Sequence, residues 1–236
     1  MQIKQMVAMF LLMVIGFSCA KEPTETITIE GIVQDEFLKL PINNIHISID
    51  AIKSSTGMGI ITDGKRETVG YTNTDAKGHY KVKLKIFKGA ERLEFYINPI
   101  KTKQGYVESQ QDIDISAINK GRSDNLNFTL SPTARLKINF KNATPFSETD
   151  SFSFSWFAYA NGWPEGIIQK ENCGTVSDKE SLIWIGKDVC GTFTIGTIAE
   201  RYTQVYWNVR RNGIYKQYRD SVYVKRNVIN QFSINY

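Results

Sequence analysis

Apolar residues at every second position recur along this chain, and that period constrains the fold more than any motif in it. Tyr80, Val82, Leu84 and Ile86 alternate with Lys81, Lys83 and Lys85. In an extended backbone successive side chains leave opposite faces, so this stretch carries one apolar face and one lysine face. Ile45, Ile47, Ile49 and Ala51 do the same against His46, Ser48 and Asp50. Leu93-Phe95-Ile97 and Leu126-Phe128-Leu130 repeat the pattern. Short runs of this kind, divided by Gly, Asn, Asp and Pro, indicate antiparallel sandwiches. Beyond the N-terminal segment there is no long amphipathic helix and no βαβ rhythm. The expected fold is all-β.

Ser131-Pro132-Thr133 follows a strand ending at Leu130, and Leu136, Ile138 and Phe140 open another. A domain boundary is placed there, giving residues 27–131 and 132–236 as two tandem β-sandwiches. In the second, Phe152, Phe154, Trp156 and Ala158 share one strand face, with Ser151, Ser153 and Ser155 on the other. Val205-Trp207-Val209 and Ile214-Tyr215 flank Asn212-Gly213. An Asn-Gly pair between β-rich arms is a strong hairpin signal, because both turn residues need positive φ. Phe232, Ile234 and Tyr236 alternate at the end, which suggests that this end of the chain is pinned within a sheet.

Residues 27–84 resemble the carboxypeptidase regulatory-like domain, a transthyretin-type (prealbumin-like) sandwich. The likeness rests on Gly31-Ile32-Val33-Gln34-Asp35, on Pro41-Ile42 with the isoleucines that follow, and on Thr72-Asn73-Thr74-Asp75-Ala76-Lys77-Gly78-His79-Tyr80. In the last motif Asp75 and Gly78 suit a tight turn and Tyr80 starts the inward set of the next strand. Two features depart from the pattern. Leu40 stands where a glycine is usual, and residues 52–70 separate two strands that are usually closer. That insertion reads as an extended hairpin or a mobile loop. The resemblance implies an accessory module with no catalysis. The second half is read as an immunoglobulin-like sandwich from its pattern alone.

The N-terminus places the protein. Lys4 precedes an apolar run, Met6 to Phe17, and Gly16-Phe17-Ser18-Cys19 follows. Twelve apolar residues are too few for a hydrocarbon core, which needs about 20, so the order of basic end, apolar run and small residue marks a secretory signal. Ending at a cysteine, it resembles a bacterial lipoprotein signal, in which the cysteine is acylated and becomes the mature N-terminus. Gly16 and Ser18 replace the usual Leu and Gly or Ala, as in the relaxed signals of Bacteroidetes lipoproteins. The expected order is a signal peptide at 1–18, a flexible tether at 19–26 and the two sandwiches. Lys21-Glu22 is similar to a surface-export signal, and Asp220-Ser221-Val222 to the O-glycosylation triplet of Bacteroidetes exported proteins. The resemblance implies a lipid-anchored outer-membrane protein facing the periplasm or the cell surface.

Once Cys19 carries lipid, Cys173 and Cys190 are left. In an oxidising compartment two such thiols suggest one disulfide, with a pair of buried free thiols as the alternative. Residues 19–131 carry 15 basic and 15 acidic residues, and residues 132–236 carry 13 and 9, so the +5 of the whole chain lies mainly in the second half. It concentrates in Arg201, Arg210, Arg211, Lys216, Arg219, Lys225 and Arg226. For an exported protein a solvated strand face, or contact with an anionic glycan, is expected there rather than nucleic acid.

Catalytic signatures are missing. The chain has two histidines, His46 and His79, and neither a His-Glu-x-x-His helix, nor a Cys-x-x-Cys pair, nor a Gly-x-Ser-x-Gly elbow, nor a phosphate loop. Asp112 and Asp114 are a pair on one strand face, short of the six oxygens calcium takes. No catalytic residue, metal or cofactor is therefore assigned. Trp163 stands in a loop composition, Asn161 to Gly166, beside Tyr159. Such a pair serves for stacking on a sugar ring, although Trp163 folded back over the sandwich end is the alternative. Tyr159, Trp163, Arg210, Arg211, Lys216 and Arg219 are the candidate ligand-binding residues. The function read from all this is a non-catalytic binding or scaffold module, accessory to an outer-membrane nutrient-uptake or adhesion assembly. A glycan-binding lipoprotein comes second and a hydrolase third. Acylation is checked by detergent-phase partitioning: Cys19→Ala should move the protein to the aqueous phase and remove the lipid mass that wild type carries.

Overall fold

The computed structural model describes residues 24–57, 60–99, 105–118, 123–157, 167–173, 175–176 and 182–236. The signal peptide, Cys19, Tyr159 and Trp163 lie outside them. The first half contains β1 (Thr24–Asp35), β2 (His46–Gly57), β3 (Ile60–Asn73), β4 (His79–Phe87), β5 (Arg92–Ile97) and β6 (Ser109–Asp114). A 3-10 turn at Ile115–Ala117 precedes β7 (Ser123–Asn125) and β8 (Phe128–Leu130). The second half contains β9 (Thr133–Lys141), β10 (Ser151–Phe157), β11 (Ile167–Asn172), β12 (Thr175–Val176) and β13 (Ile183–Ile185). It ends with β14 (Cys190–Ile198), β15 (Arg201–Arg211), β16 (Ile214–Val224) and β17 (Ile229–Asn235). The fold is all-β.

Period 2 decides what is buried. Along β4, Tyr80, Val82, Leu84 and Ile86 are buried while the lysines between them are exposed. They face Ile47, Ile49, Leu93 and Phe95 from the opposing sheet, β3-β2-β5-β6. A second cluster gathers Leu136, Ile138, Phe140, Phe152, Phe154, Trp184, Phe193 and Ile195 between the sheets β12-β13-β10-β15-β16 and β11-β14-β9-β17. The two clusters fall on either side of Pro132. Trp184 is fully buried, its ring 4.4 Å from that of Phe140, and its Nε1–H donates to Asn172 Oδ1 at 2.6 Å.

The structure corrects two expectations and decides a third between its alternatives. β1 starts at Thr24, inside the segment read as tether, because Thr24, Glu25 and Thr26 pair with Phe87, Ile86 and Lys85 of the long strand β4. The sheets are not wholly antiparallel, since β7 and β8 join β1 in parallel and β17 joins β9 in parallel. In each case the chain builds the opposing sheet before returning to the open side of an earlier strand. The expected insertion is an extended hairpin, with β2 and β3 paired out to Gly57↔Ile60. Gly31 marks the tightest approach in β1: a Cβ there would lie 1.9 Å from the Leu126 carbonyl oxygen, so any side chain would push away the segment between β7 and β8.

Cys173 and Cys190 are joined, with Cα atoms 5.2 Å apart, where β11 and β14 run side by side. The bond closes a loop of 17 residues, worth about 3 kcal/mol in the chain-entropy account. Reduction should lower unfolding stability by about that amount, and denatured, unreduced protein should titrate without free thiol from this pair.

The halves meet through buried charge. Asp35, at the end of β1, is 1% exposed and takes Arg226 Nη1 at 2.7 Å and Nη2 at 3.3 Å. It also accepts the Tyr106 hydroxyl at 3.1 Å and the N–H groups of Phe37 and Leu38 at 2.9 and 2.8 Å. Arg226 reaches Glu200 as well, and Arg201 pairs with Glu36 at 3.1 Å over the Phe37 ring. Burial works against the charge on Asp35, but Arg226 and the two N–H groups outweigh it and hold the carboxyl down at about 2. The contribution is therefore complete above the unfolded carboxylate value of about 3.9 and fades as pH falls through about 2. Acid unfolding of the wild type should steepen across that window, and Asp35→Asn should flatten it. Arg226→Ala strands a buried carboxylate and should cost about 3 kcal/mol. Adding Asp35→Ala should cost less than the sum of the single changes.

Candidate functional site: the tyrosine and arginine ribbon

The chemistry-bearing surface grows out of one turn. Asn212 and Gly213 have φ of 48° and 72°, the left-handed pair that a two-residue hairpin turn requires. That turn pairs Arg211 with Ile214 and fixes the β15–β16 register as far as Arg201↔Val224 without a bulge. On one face stand Tyr202↔Tyr223, Gln204↔Ser221, Tyr206↔Arg219, Asn208↔Gln217 and Arg210↔Tyr215. On the other, Val205, Val209 and Val224 enter the core.

The outer face is aromatic and polar. Tyr202 and Tyr215 are 67% and 62% exposed. Tyr202 meets Tyr223 edge-on at 5.4 Å, and the Arg219 guanidinium lies 5.6 Å from the Tyr206 ring. The Tyr206 hydroxyl donates to Gln204 Oε1, and Asn208 Nδ2 to Ser153 Oγ at 3.2 Å. The Tyr223 hydroxyl donates to Glu200 at 3.1 Å, and this bond, ahead of desolvation, raises its pKa. Rings fixed by their neighbours, with amides and a guanidinium between them, form a surface for stacking and hydrogen bonding.

The four basic residues expected to act together are divided by the pleat. Arg210 and Arg219 lie on the tyrosine face and are exposed. Lys216 is exposed on the opposite face. Arg211 turns inward, donating Nη2 to Asn142 Oδ1 at 2.8 Å with Asp150 3.8 Å from its Nε and the Tyr236 ring beneath it. Arg201 and Arg226 do not form a solvated face: carboxylates from the first half neutralise them. The sequence reading passed over Tyr202, Tyr206, Tyr218 and Tyr223 and used Tyr215 only as a hairpin arm, although the two-residue turn sets each cross-strand pair.

Two open clefts are lined by the first half. One, about 440 Å³, lies where the halves meet and is lined by Glu36, Ser109, Gln110, Gln111, Thr129 and Ser131. The other, about 600 Å³, is lined by Glu30, Thr72, Asn73, Asp75, His79 and Lys81. Asp75 there is tied to the N–H groups of His79 and Lys77 at 2.9 and 2.8 Å, which lower its pKa. Glu94 pays for burial, but Tyr96, Arg66 and Gln110 hold it in the charged form. Asp150 is likewise buried, yet bonds from Phe146, Asn142 and Ser147 keep it charged. Among the described residues, every carboxylate with a displaced pKa is displaced downward. His46 Nδ1 bonds to Asn73 at 3.0 Å, Arg92 lies 3.7 Å from Asp112, and Asp114 caps the 3-10 turn. Among the described residues no three His, Cys, Asp or Glu side chains are grouped to hold a metal, and no helix is long and apolar enough to cross a membrane.

No family model and no curated protein matches this chain. Among solved structures it is similar to a streptococcal ancillary pilin at 10% identity and TM-score 0.36, over 92% of this chain and 64% of that one. The chain thus spans just under two thirds of that pilin. It is also similar to the minor pilin of Streptococcus agalactiae at 10% identity and TM-score 0.35, over 89% of this chain and 94% of that one. The shaft pilin of Lactobacillus rhamnosus GG gives 11% identity and TM-score 0.31, over 91% and 98%.

Proposed function

We propose that this chain is a non-catalytic binding and scaffold module, held to the outer membrane by lipid on Cys19 and accessory to an uptake or adhesion assembly. The carrying observation is the β15–β16 ribbon, whose face bears exposed Tyr202, Tyr215 and Tyr223 and is braced from below by Val205, Val209 and Val224. A general acid at neutral pH needs a carboxyl raised toward 7. Asp35, Glu94 and Asp150 are instead saturated with donors and held ionised, as befits structural groups. They brace sheets and joints.

The ribbon also favours a glycan as ligand. Sugar rings present flat C–H faces that stack on tyrosine, and their hydroxyls suit Gln204, Asn208, Gln217 and Arg210. Tyr159 and Trp163, which lie in sequence between β10 and β11, belong to the same proposal as aromatic candidates. A glycan array read with wild type, Tyr202→Ala/Tyr223→Ala and Trp163→Ala tests it. Loss of a bound glycan by about thirtyfold in the double variant is expected, since aromatic stacking contributes on the order of 1 kcal/mol per ring. Equal binding by wild type and the double variant removes the ribbon from the site. Silence from wild type leaves a protein partner as the ligand.

A further inference from the structure

The sheet containing the ribbon ends at β16, and among the described residues no strand pairs with its outer edge. β16 is 11 residues long, has no proline or bulge, and is exposed on both faces from Ile214 to Ser221. Edges of this kind are templates for another strand unless charge or shape blocks them. Lys216, Arg219 and Asp220 are the charges here, so the question is whether any register makes them compatible.

A second copy of the same edge, added antiparallel about a two-fold axis, keeps its faces in phase only if the axis passes through a residue. Centred on Lys216, Arg219 or Asp220, the joint sets like charges against each other. Centred on Gln217, it sets Ile214 against Asp220 and leaves Lys216 without an acid. Centred on Tyr218, every pair is compatible. Lys216 meets Asp220 twice, Ile214 meets Val222 twice, Gln217 meets Arg219, Tyr215 meets Ser221 and the two Tyr218 residues meet at the axis. Tyr218 already stacks on Trp207, 5.5 Å apart and tilted 10°. The joint would therefore run as one aromatic row, Trp207 and Tyr218 of each copy, beside two ion pairs.

We propose that β16 is a self-pairing edge that joins two copies of this chain into a continuous sheet, in the register centred on Tyr218. The charges that would repel a foreign strand select this register, which is discrimination by unfavourable alternatives as much as by attraction. The outer tyrosine face stays uncovered, so the pairing holds whatever ligand that face takes.

Disulfide trapping of the full-length chain in membranes tests it, because opposed strand residues lie within reach of a disulfide. Tyr218→Cys should give a dimer on a non-reducing gel, absent from wild type. Arg219→Cys alone should give about tenfold less, as its counterpart sits diagonally two residues away. Chains bearing Gln217→Cys and chains bearing Arg219→Cys, mixed, should link to each other, which leaves the Trp207 stack intact. In the Tyr218→Cys background, Asp220→Lys should cut the dimer about tenfold by setting four positive charges together, and adding Lys216→Asp should restore it. The proposal is overturned if neither Tyr218→Cys nor the mixed pair forms a dimer. It is equally overturned if Arg219→Cys alone gives the stronger band, or if Asp220→Lys leaves the yield unchanged.

Discussion

Asp35 and Arg226 hold this molecule together in a way that neither half accomplishes alone. A carboxylate at 1% exposure is costly unless its partners are fixed. Here they come from three places: the turn after β1, the Tyr106 hydroxyl, and a guanidinium 191 residues away. Arg226 is itself fixed by Glu200 through its side chain and its own N–H. Such a pair contributes little net energy over an apolar contact, but it tolerates only one geometry. The Asp35–Arg226 and Glu36–Arg201 pairs sit beside a chain crossing that is hydrogen-bonded on both sides, from Val107 N–H to Ser131 and from Ala199 N–H to Pro132. The joint is thus specified by charge and backbone together, and the ribbon departs from Arg201, inside that joint.

How much of this was legible depends on how far apart the partners lie. Alternation identified the inward faces of β2, β4, β5 and β9, because the pleat's period is local and independent of which strand sits opposite. The β15–β16 turn was legible for the same reason. The roles of Arg201 and Arg226 were not: a basic run between residues 201 and 226 looks solvated until Glu36 and Asp35 arrive from the far end of the chain. Nor was the parallel seating of β7, β8 and β17, since alternation says which face is apolar and nothing about direction. Trp184 went unnoticed between Ile183 and Ile185, both exposed, because a three-residue strand is too short to display a period.

The two strands of the ribbon differ because one of them is a sheet edge. β15 spends its backbone on β10 and β16 and turns Val205, Trp207 and Val209 toward the core. Among the described residues β16 has one neighbouring strand, so its charges bear on what else may pair. A long edge normally endangers a β protein by inviting any extended segment. On β16 the lysine and the aspartate stand four residues apart on one face, with Tyr218 midway between them. Under a two-fold axis that spacing converts a barrier into an address: a foreign strand meets unmatched charge, and a second copy meets its complement. Bound through β16, two copies would present two tyrosine faces side by side. A ligand with repeating units could then engage both without either face needing high affinity of its own.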